Sequence, residues 1–291
     1  MVFNGVFPAG AVKPSPYGLF SVAEVAEKGP RDSHWGQGFS AMSEACAFDA
    51  NIVDICGGID SVPVYVNSGE RFKEVRPFGI IVFDKCLSVG FDAEDRRARA
   101  VRQLELVTQK AVETELWAGP YRSAWNDTQS DPDNLAFLAG SGTEIVESTA
   151  VSPKIGLALL EQAVADCGPG IESVIHVSPL VSSVLEDGFS AVKDGELDKT
   201  RLRTAAGNLV SVGAGYDGRG PGEAAPTDKF VHWMYATGPV HVVLGSEELI
   251  TVDATQALDT RTNEMTYAAE RPAAVYTDGC CQLAVKIDIR L

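Results

Sequence analysis

Residues 92–117 carry the strongest periodic signal in the chain. Ala100, Leu104, Val107 and Ala111 recur at helical spacing, and Val112 and Leu116 continue the stripe. Asp92, Glu94 and Asp95 fill the first turn, where carboxylates suit the helix dipole. Gly119-Pro120 supplies the stop. At 1.5 Å per residue such a helix is about 40 Å long, wider than many small domains. Its apolar stripe is narrow. Arg96, Arg97, Arg99 and Arg102 near the start, and Glu113 and Glu115 near the end, make a polar second face. A helix of this length with one polar side lies across a sheet rather than inside a core, so the rest of the chain must supply that sheet.

Strand signals follow. Ser61 to Val66 alternates, with Val62, Val64 and Val66 on one face, and Asn67-Ser68-Gly69 is a turn signal. Phe78 to Leu87 is a second strand, rich in Ile, Val and Phe. Glu70, Arg71, Lys73, Glu74 and Arg76 lie between them, which reads as a long hairpin with a charged, mobile tip. Residues 1–50 lack sustained periodicity and carry Pro8, Pro14, Pro16 and Pro30 with scattered aromatics. They read as an extended arm with one short helix, Val22 to Lys28, capped by Ser21. Its apolar anchors must pack on another surface, its own or a neighbour's.

Ser152-Pro153 opens a second helix with Ile155, Leu159, Leu160, Ala163 and Val164 as its apolar face, ended by Gly168-Pro169. Ser173 to Val177 reads as a short buried strand and Pro179 to Leu185 as a helical turn. Further strands are expected at Leu209–Val212, Val240–Leu244, Leu249–Val252, Tyr267–Val275 and Gln282–Ile289. Strands and helices interleave without regular βαβ alternation, which excludes a Rossmann-type sheet.

The chain has 291 residues and a net charge of −16, from 24 Lys and Arg against 40 Asp and Glu. That balance excludes a generic nucleic-acid-coating protein and docking on anionic lipid, both of which need clustered cations. The longest apolar stretch, Phe78 to Phe83, falls far short of the ~20 residues of a membrane span. The first basic residue is Lys13, so no signal peptide is expected, and neither a fused scaffold nor a cleaved propeptide is evident. Cys46, Cys56, Cys86, Cys167, Cys280 and Cys281 form no CxxC and no zinc pattern. Reduced, mostly buried thiols are expected, without structural crosslinks, and Cys280 and Cys281 should point to opposite faces of a strand.

No motif supplies chemistry. Gly213, Gly215, Gly218, Gly220 and Gly222 lack a following Lys-Ser or Lys-Thr and a following helix, so they read as a flexible connecting loop. His34, His176, His232 and His241 hold no HExxH pair, and His176 near Ser178 has no GxSxG elbow. Asp131/Asp133 and Glu247/Glu248 read as solvated carboxylates, and the arginine cluster of the long helix as a solvated face. No catalytic, cofactor-binding or metal site is expected, and no cofactor. Such a chain looks made for contacts with its own kind.

Five segments, in order, resemble major capsid proteins of tailed bacteriophages of actinobacteria. They are RPFGIIVFDKC (76–86), VETELWAG (112–119) with its Leu-Trp-x-Gly helix end, TAAGNLVSVGAGYDGRGP (204–221), YATGPVHVVLGS (235–246) and AERPAAVYTDGCCQLAVKID (269–288). The resemblance implies the α+β capsid fold shared by tailed phages, encapsulins and herpesvirus capsid floors. It implies an N-terminal arm at 1–54 and an extended hairpin, the E-loop, at 55–90. A peripheral domain with a spine helix at Asp92–Trp117 would take 91–149 and 248–275, and an axial domain 150–247 and 276–291. The function implied is a non-enzymatic major capsid protein. It would self-assemble into hexamers and pentamers of an icosahedral head around phage double-stranded DNA, without sequence-specific binding and without a membrane. A portal and scaffold or decoration proteins would be its other partners; assembly would take place in the host cytoplasm and the protein would reside in the virion. Arg71, Lys73 and Arg76 on the hairpin, and Asp259, Arg261 and Asn263 before the last motif, are the expected inter-subunit contacts. An isopeptide between Lys73 or Lys85 and Asn263 belongs to the chemistry of some relatives, but no catalytic motif marks one here. An encapsulin-type shell, a tail or head-completion protein, and a thiol hydrolase using Cys280 or Cys281 are the competing readings.

Overall fold

The computed structural model describes residues 13–28, 35, 38–43, 71–87, 93–122, 137–167, 172–194, 199–250, 258–259, 264–278 and 281–291. The long helix, α2, spans Ala93–Ala118 after a single-turn α1 at Leu19–Val22. Ala100, Leu104, Val112, Leu116 and Trp117 are at most 1% exposed. The stripe steps by four, so Thr108 is buried and its hydroxyl donates to the Leu104 carbonyl at 2.7 Å. Val107, expected inside, is exposed. Gly119 ends the helix at φ +54°, a left-handed conformation that costs glycine least.

The helix lies across a six-stranded sheet. Its long strand is β14 (Glu264–Thr277), paired antiparallel along ten residues with β4 (Phe78–Leu87). Strand β4 alternates as a half-buried strand should. Phe78, Ile80 and Asp84 are buried, while Ile81 and Phe83 are exposed. On its other edge β14 pairs with β11 (Val240–Gly245), β12 (Glu248–Ile250) and β13 (Leu258–Asp259). Strand β1 (Glu24–Lys28) adds parallel to β11, Glu24 opposite His241 through Lys28 opposite Gly245. The helix expected over Val22–Lys28 is therefore corrected to a strand. An isolated seven-residue helix is marginal, whereas the free edge of β11 satisfies the same backbone groups.

Strands β2 (Phe39–Ser43) and β3 (Arg71–Val75) form an antiparallel pair of their own. Ala41 and Val75 pack it on Val243 and Ala274, with Trp35, Phe39 and Tyr276 around them. The charged segment after Gly69 is thus ladder-paired strand over 71–75, not a mobile tip. The expected strand Ser61–Val66 and its turn lie outside the described residues.

The second sheet has seven strands in the order β5 (Glu144–Val151), β15 (Gln282–Asp288), β10 (Val231–Thr237), β6 (Val174–Val177), β9 (Leu209–Val212), β8 (Lys199–Thr204) and β7 (Phe189–Asp194). Helix α3 (Pro153–Cys167) packs there through Leu157, Leu160 and Val164. Ile155 is exposed, so the buried face is turned from the one expected. Helix α4 (Pro179–Val184) starts where Ser178 Oγ accepts from the Val181 N–H at 3.4 Å.

The chain crosses from β10 to β11 through Gly238-Pro239 and returns to β15 after β14. At that return Cys281 is joined to Cys167 by a disulfide across 114 residues of sequence. The expectation of uncrosslinked thiols is corrected here. The pairing arises because the end of α3 and the start of β15 meet in the fold, which no cysteine spacing encodes.

Candidate functional site

The helix α2 joins the two sheets, and its acidic end is the centre of the joint. Glu113, expected on a solvated face, is 1% exposed. Its Oε1 accepts from the Leu19 N–H at 3.0 Å and from Gln109 Nε2 at 2.8 Å, and its Oε2 from the Gly215 N–H at 3.0 Å. Gln109 Oε1 in turn accepts from the Ser15 N–H at 2.9 Å. One carboxylate thus fastens the N-terminal segment and the glycine loop to the helix.

Glu115, also expected to be solvated, is buried. It accepts from the Tyr121 and Arg122 N–H groups at 3.0 Å each and lies 3.8 Å from the Arg122 guanidinium. Arg122 donates onward to the Val275 carbonyl of β14. Burial raises the Glu115 pKa and lowers that of Arg122, and each offsets part of the other's shift.

The glycine loop, expected to be a flexible connector, is corrected to a packed strap. A Cβ on Gly215 would stand 2.6 Å from both the Lys110 carbonyl oxygen and the Thr114 nitrogen of α2, so only glycine lets the loop approach. The Trp233 backbone N–H donates to the Gly218 carbonyl at 3.1 Å, and the Tyr235 hydroxyl donates to the Arg219 carbonyl at 2.9 Å. Trp117 stacks on Tyr216 with centroids 4.7 Å apart and meets Tyr235 edge-on at the same separation. Strap, helix and strand β10 share one aromatic core.

His176 belongs to that core. Its Nδ1 is 3.1 Å from the Tyr216 hydroxyl, which is 2.9 Å from Ser211 Oγ, and its Nε2 is 2.9 Å from Thr237 Oγ1. Burial lowers its pKa to about 3, so the ring stays neutral. Ser178 is occupied as the cap of α4. A fully buried neutral histidine between a tyrosine and a threonine braces β6 against β10 and the strap.

The expected contact residues fall at two places. Arg71 and Lys73 stand on β3 opposite Ser43 and Ala41. Arg76, just beyond β3, pairs with Glu74 of the same chain. Asp259 lies on β13 opposite Glu264, and Lys85 on β4 opposite Thr266. Arg261 and Asn263 lie outside the described residues. Strand β3 packs near Ala274 while β13 pairs near Met265. Nine residues of strand, about 30 Å, separate the two places within one chain.

The sequence reading passes over the apolar surface between them. Ile81, Phe83, Leu106, Val107 and Tyr121 are between 36% and 66% exposed. Phe78, Ile81, Val107, Ala111 and Tyr121 line a shallow cleft of ≈ 560 Å³. Among the described residues no group of His, Cys, Asp and Glu could hold a metal ion, and no helix is long and apolar enough to cross a membrane.

No protein-family model matches the chain, and no curated protein matches it in sequence. Solved structures do. The capsid of an empty GTA particle aligns over 99% of this chain and 95% of its own, with a TM-score of 0.58 at 9% identity. A structure from Mycobacterium phage Cain aligns over 99% and 96%, with a TM-score of 0.51 at 11% identity. One from Gordonia phage Cozz aligns over 97% and 91%, with a TM-score of 0.50 at 13% identity.

Proposed function

Because the chain has the tailed-phage capsid fold, we propose that it is a major capsid protein, self-assembling into the hexamers and pentamers of an icosahedral head that encloses double-stranded DNA. The observation that carries this reading is the end-to-end alignment with the capsid of the GTA particle, 99% of one chain on 95% of the other. Three further features support it. Glu113, Glu115 and His176 are taken up in bracing the fold, and apolar side chains of β4 and α2, Ile81, Phe83 and Val107 among them, are exposed where a neighbouring subunit would cover them. The net charge of −16 suits a container whose wall should not hold DNA tightly.

In this reading the protein is not an enzyme, is built into shells in the host cytoplasm and resides in the virion, with a portal and scaffold or decoration proteins as partners. The six-stranded sheet with α2 is the peripheral domain and the seven-stranded sheet the axial domain. Since β5 joins the seven-stranded sheet and β11 the six-stranded one, sheet membership favours boundaries near 143 and 239 over those at 149 and 247. Arg71, Lys73, Arg76, Asp259, Arg261 and Asn263 are proposed inter-subunit contacts. The test is expression of the full chain with scaffold supplied, followed by sedimentation and negative-stain imaging. Closed shells are expected; a compact monomer at high concentration contradicts the reading.

A further inference from the structure

We propose that Cys167 and Cys281 form a redox lock, open as a dithiol while the subunit folds and assembles, and closed as a disulfide once finished shells meet an oxidant. The timing rests on the capsid reading above; the lock itself does not. Cys167 is the last residue of α3, and Cys281 directly precedes β15. Their Cα atoms are 5.9 Å apart, inside the span of about 4.4–6.8 Å that a disulfide bridges.

That separation is set by the fold around the cysteines. Leu157, Leu160 and Val164 of α3 pack in one core with Leu283, Val285 and Ile287 of β15. Strand β15 is paired along seven residues with β10 on one side and with β5 on the other. In the proposed lock this packing holds the two thiols within reach of each other, so that the bond can close without a rearrangement of the fold.

The bond acts on the crossing between the sheets. Between the two cysteines the chain leaves the seven-stranded sheet after Thr237, makes β11 to β14 in the six-stranded sheet, and returns at Cys281. Closing this 114-residue segment removes freedom from the unfolded chain, and long loops lose the most. It also ties the returning strand to the helix that covers it. A shell leaving a reducing cytoplasm gains this restraint when it no longer needs to rearrange.

The oxidant is a low-molecular-weight disulfide. Cys281 is 7% exposed, whereas Cys167 is half-buried at its helix end and makes the first attack. Its thiolate attacks the small disulfide, forming a mixed disulfide and releasing one small thiolate. The Cys281 thiolate then attacks Sγ of Cys167 and releases the second. Two protein thiols lose two protons and two electrons, and one small disulfide becomes two small thiols.

The test is thiol accounting on the full chain. Cells making the protein are quenched with N-ethylmaleimide before lysis, and unquenched shells or free subunits are incubated with oxidised glutathione. Peptide mass spectrometry should find Cys167 and Cys281 alkylated in the first sample and joined in the second. Oxidation should raise the unfolding temperature of the free subunit by roughly 10 °C. The Cys167→Ala/Cys281→Ala variant should show no such rise, and wild-type chains kept in reductant should still form shells. A joined peptide already present in quenched cells, thiols that stay free in oxidised glutathione, or wild-type chains that need oxidant to assemble would each overturn the lock. Thiol state and melting are read on the unassembled chain as well, so a failure of the capsid reading would be seen separately.

Discussion

Glu113 and His176 show what single residues contribute here. Glu113 holds three hydrogen bonds in a site with 1% exposure. Glu113→Ala would strand the Leu19 and Gly215 N–H groups, and each buried unsatisfied donor costs about 1–3 kcal/mol. We expect a loss of about 2–5 kcal/mol in urea unfolding, with Glu113→Gln milder because it keeps one acceptor oxygen. An unchanged midpoint in Glu113→Ala would mean that water replaces the carboxylate. His176 sets a pH dependence. Its folded pKa of about 3 lies below the usual 6.5, so between those values the unfolded chain binds more protons. Stability from this residue is complete above pH 6.5 and falls by up to about 1.4 kcal/mol per pH unit on acidification toward 3. Glu115, with its raised pKa, opposes part of this slope in the acid range. Comparing His176→Asn with wild type isolates the histidine: the difference in stability should shrink steadily from pH 7 to pH 4.

At the scale of elements, contact through a face predicts substitution effects that differ in kind. Gly215→Ala places a methyl 2.6 Å from the α2 backbone and should cost about 1–3 kcal/mol of subunit stability, read by thermal unfolding. Phe83→Ser removes a side chain 66% exposed on β4. It should leave subunit stability within about ±0.5 kcal/mol while raising the concentration needed for assembly. The elements legible in the sequence are those with a single period. Helix α2 was visible from its stripe and its Gly-Pro stop, and β4 from its Ile, Val and Phe run. Strand β10 was not, although it lies between β15 and β6 in the larger sheet, because six of its seven residues are buried. A strand covered on both faces shows no alternation. The β1 segment looked helical because its partner, β11, lies more than 200 residues away in sequence. The joint was hidden for a related reason: Glu113 and Glu115 are written as surface residues, and only the arriving backbone of Leu19, Gly215 and Arg122 makes them internal.

Among the described residues the molecule is two large sheets and a two-stranded pair, tied together by one long helix, one strap and one disulfide, with apolar side chains left exposed on β4 and α2. If the loop 259–264 lies between subunits, charge reversal at Arg261→Glu should weaken assembly while leaving the free subunit's stability within about ±0.5 kcal/mol. Exposed ion pairs are worth only about 0–1 kcal/mol each, so the effect should appear as increased salt sensitivity of shells, where the contact is repeated. Normal shells with unchanged salt tolerance would place that loop away from any contact. The central claim is assembly, and imaging tests it most directly. Purified full-length chain, supplied with scaffold and concentrated, is viewed by electron microscopy. The account expects closed icosahedral shells with fivefold and sixfold capsomers; rings, open tubes or monomers alone would contradict it.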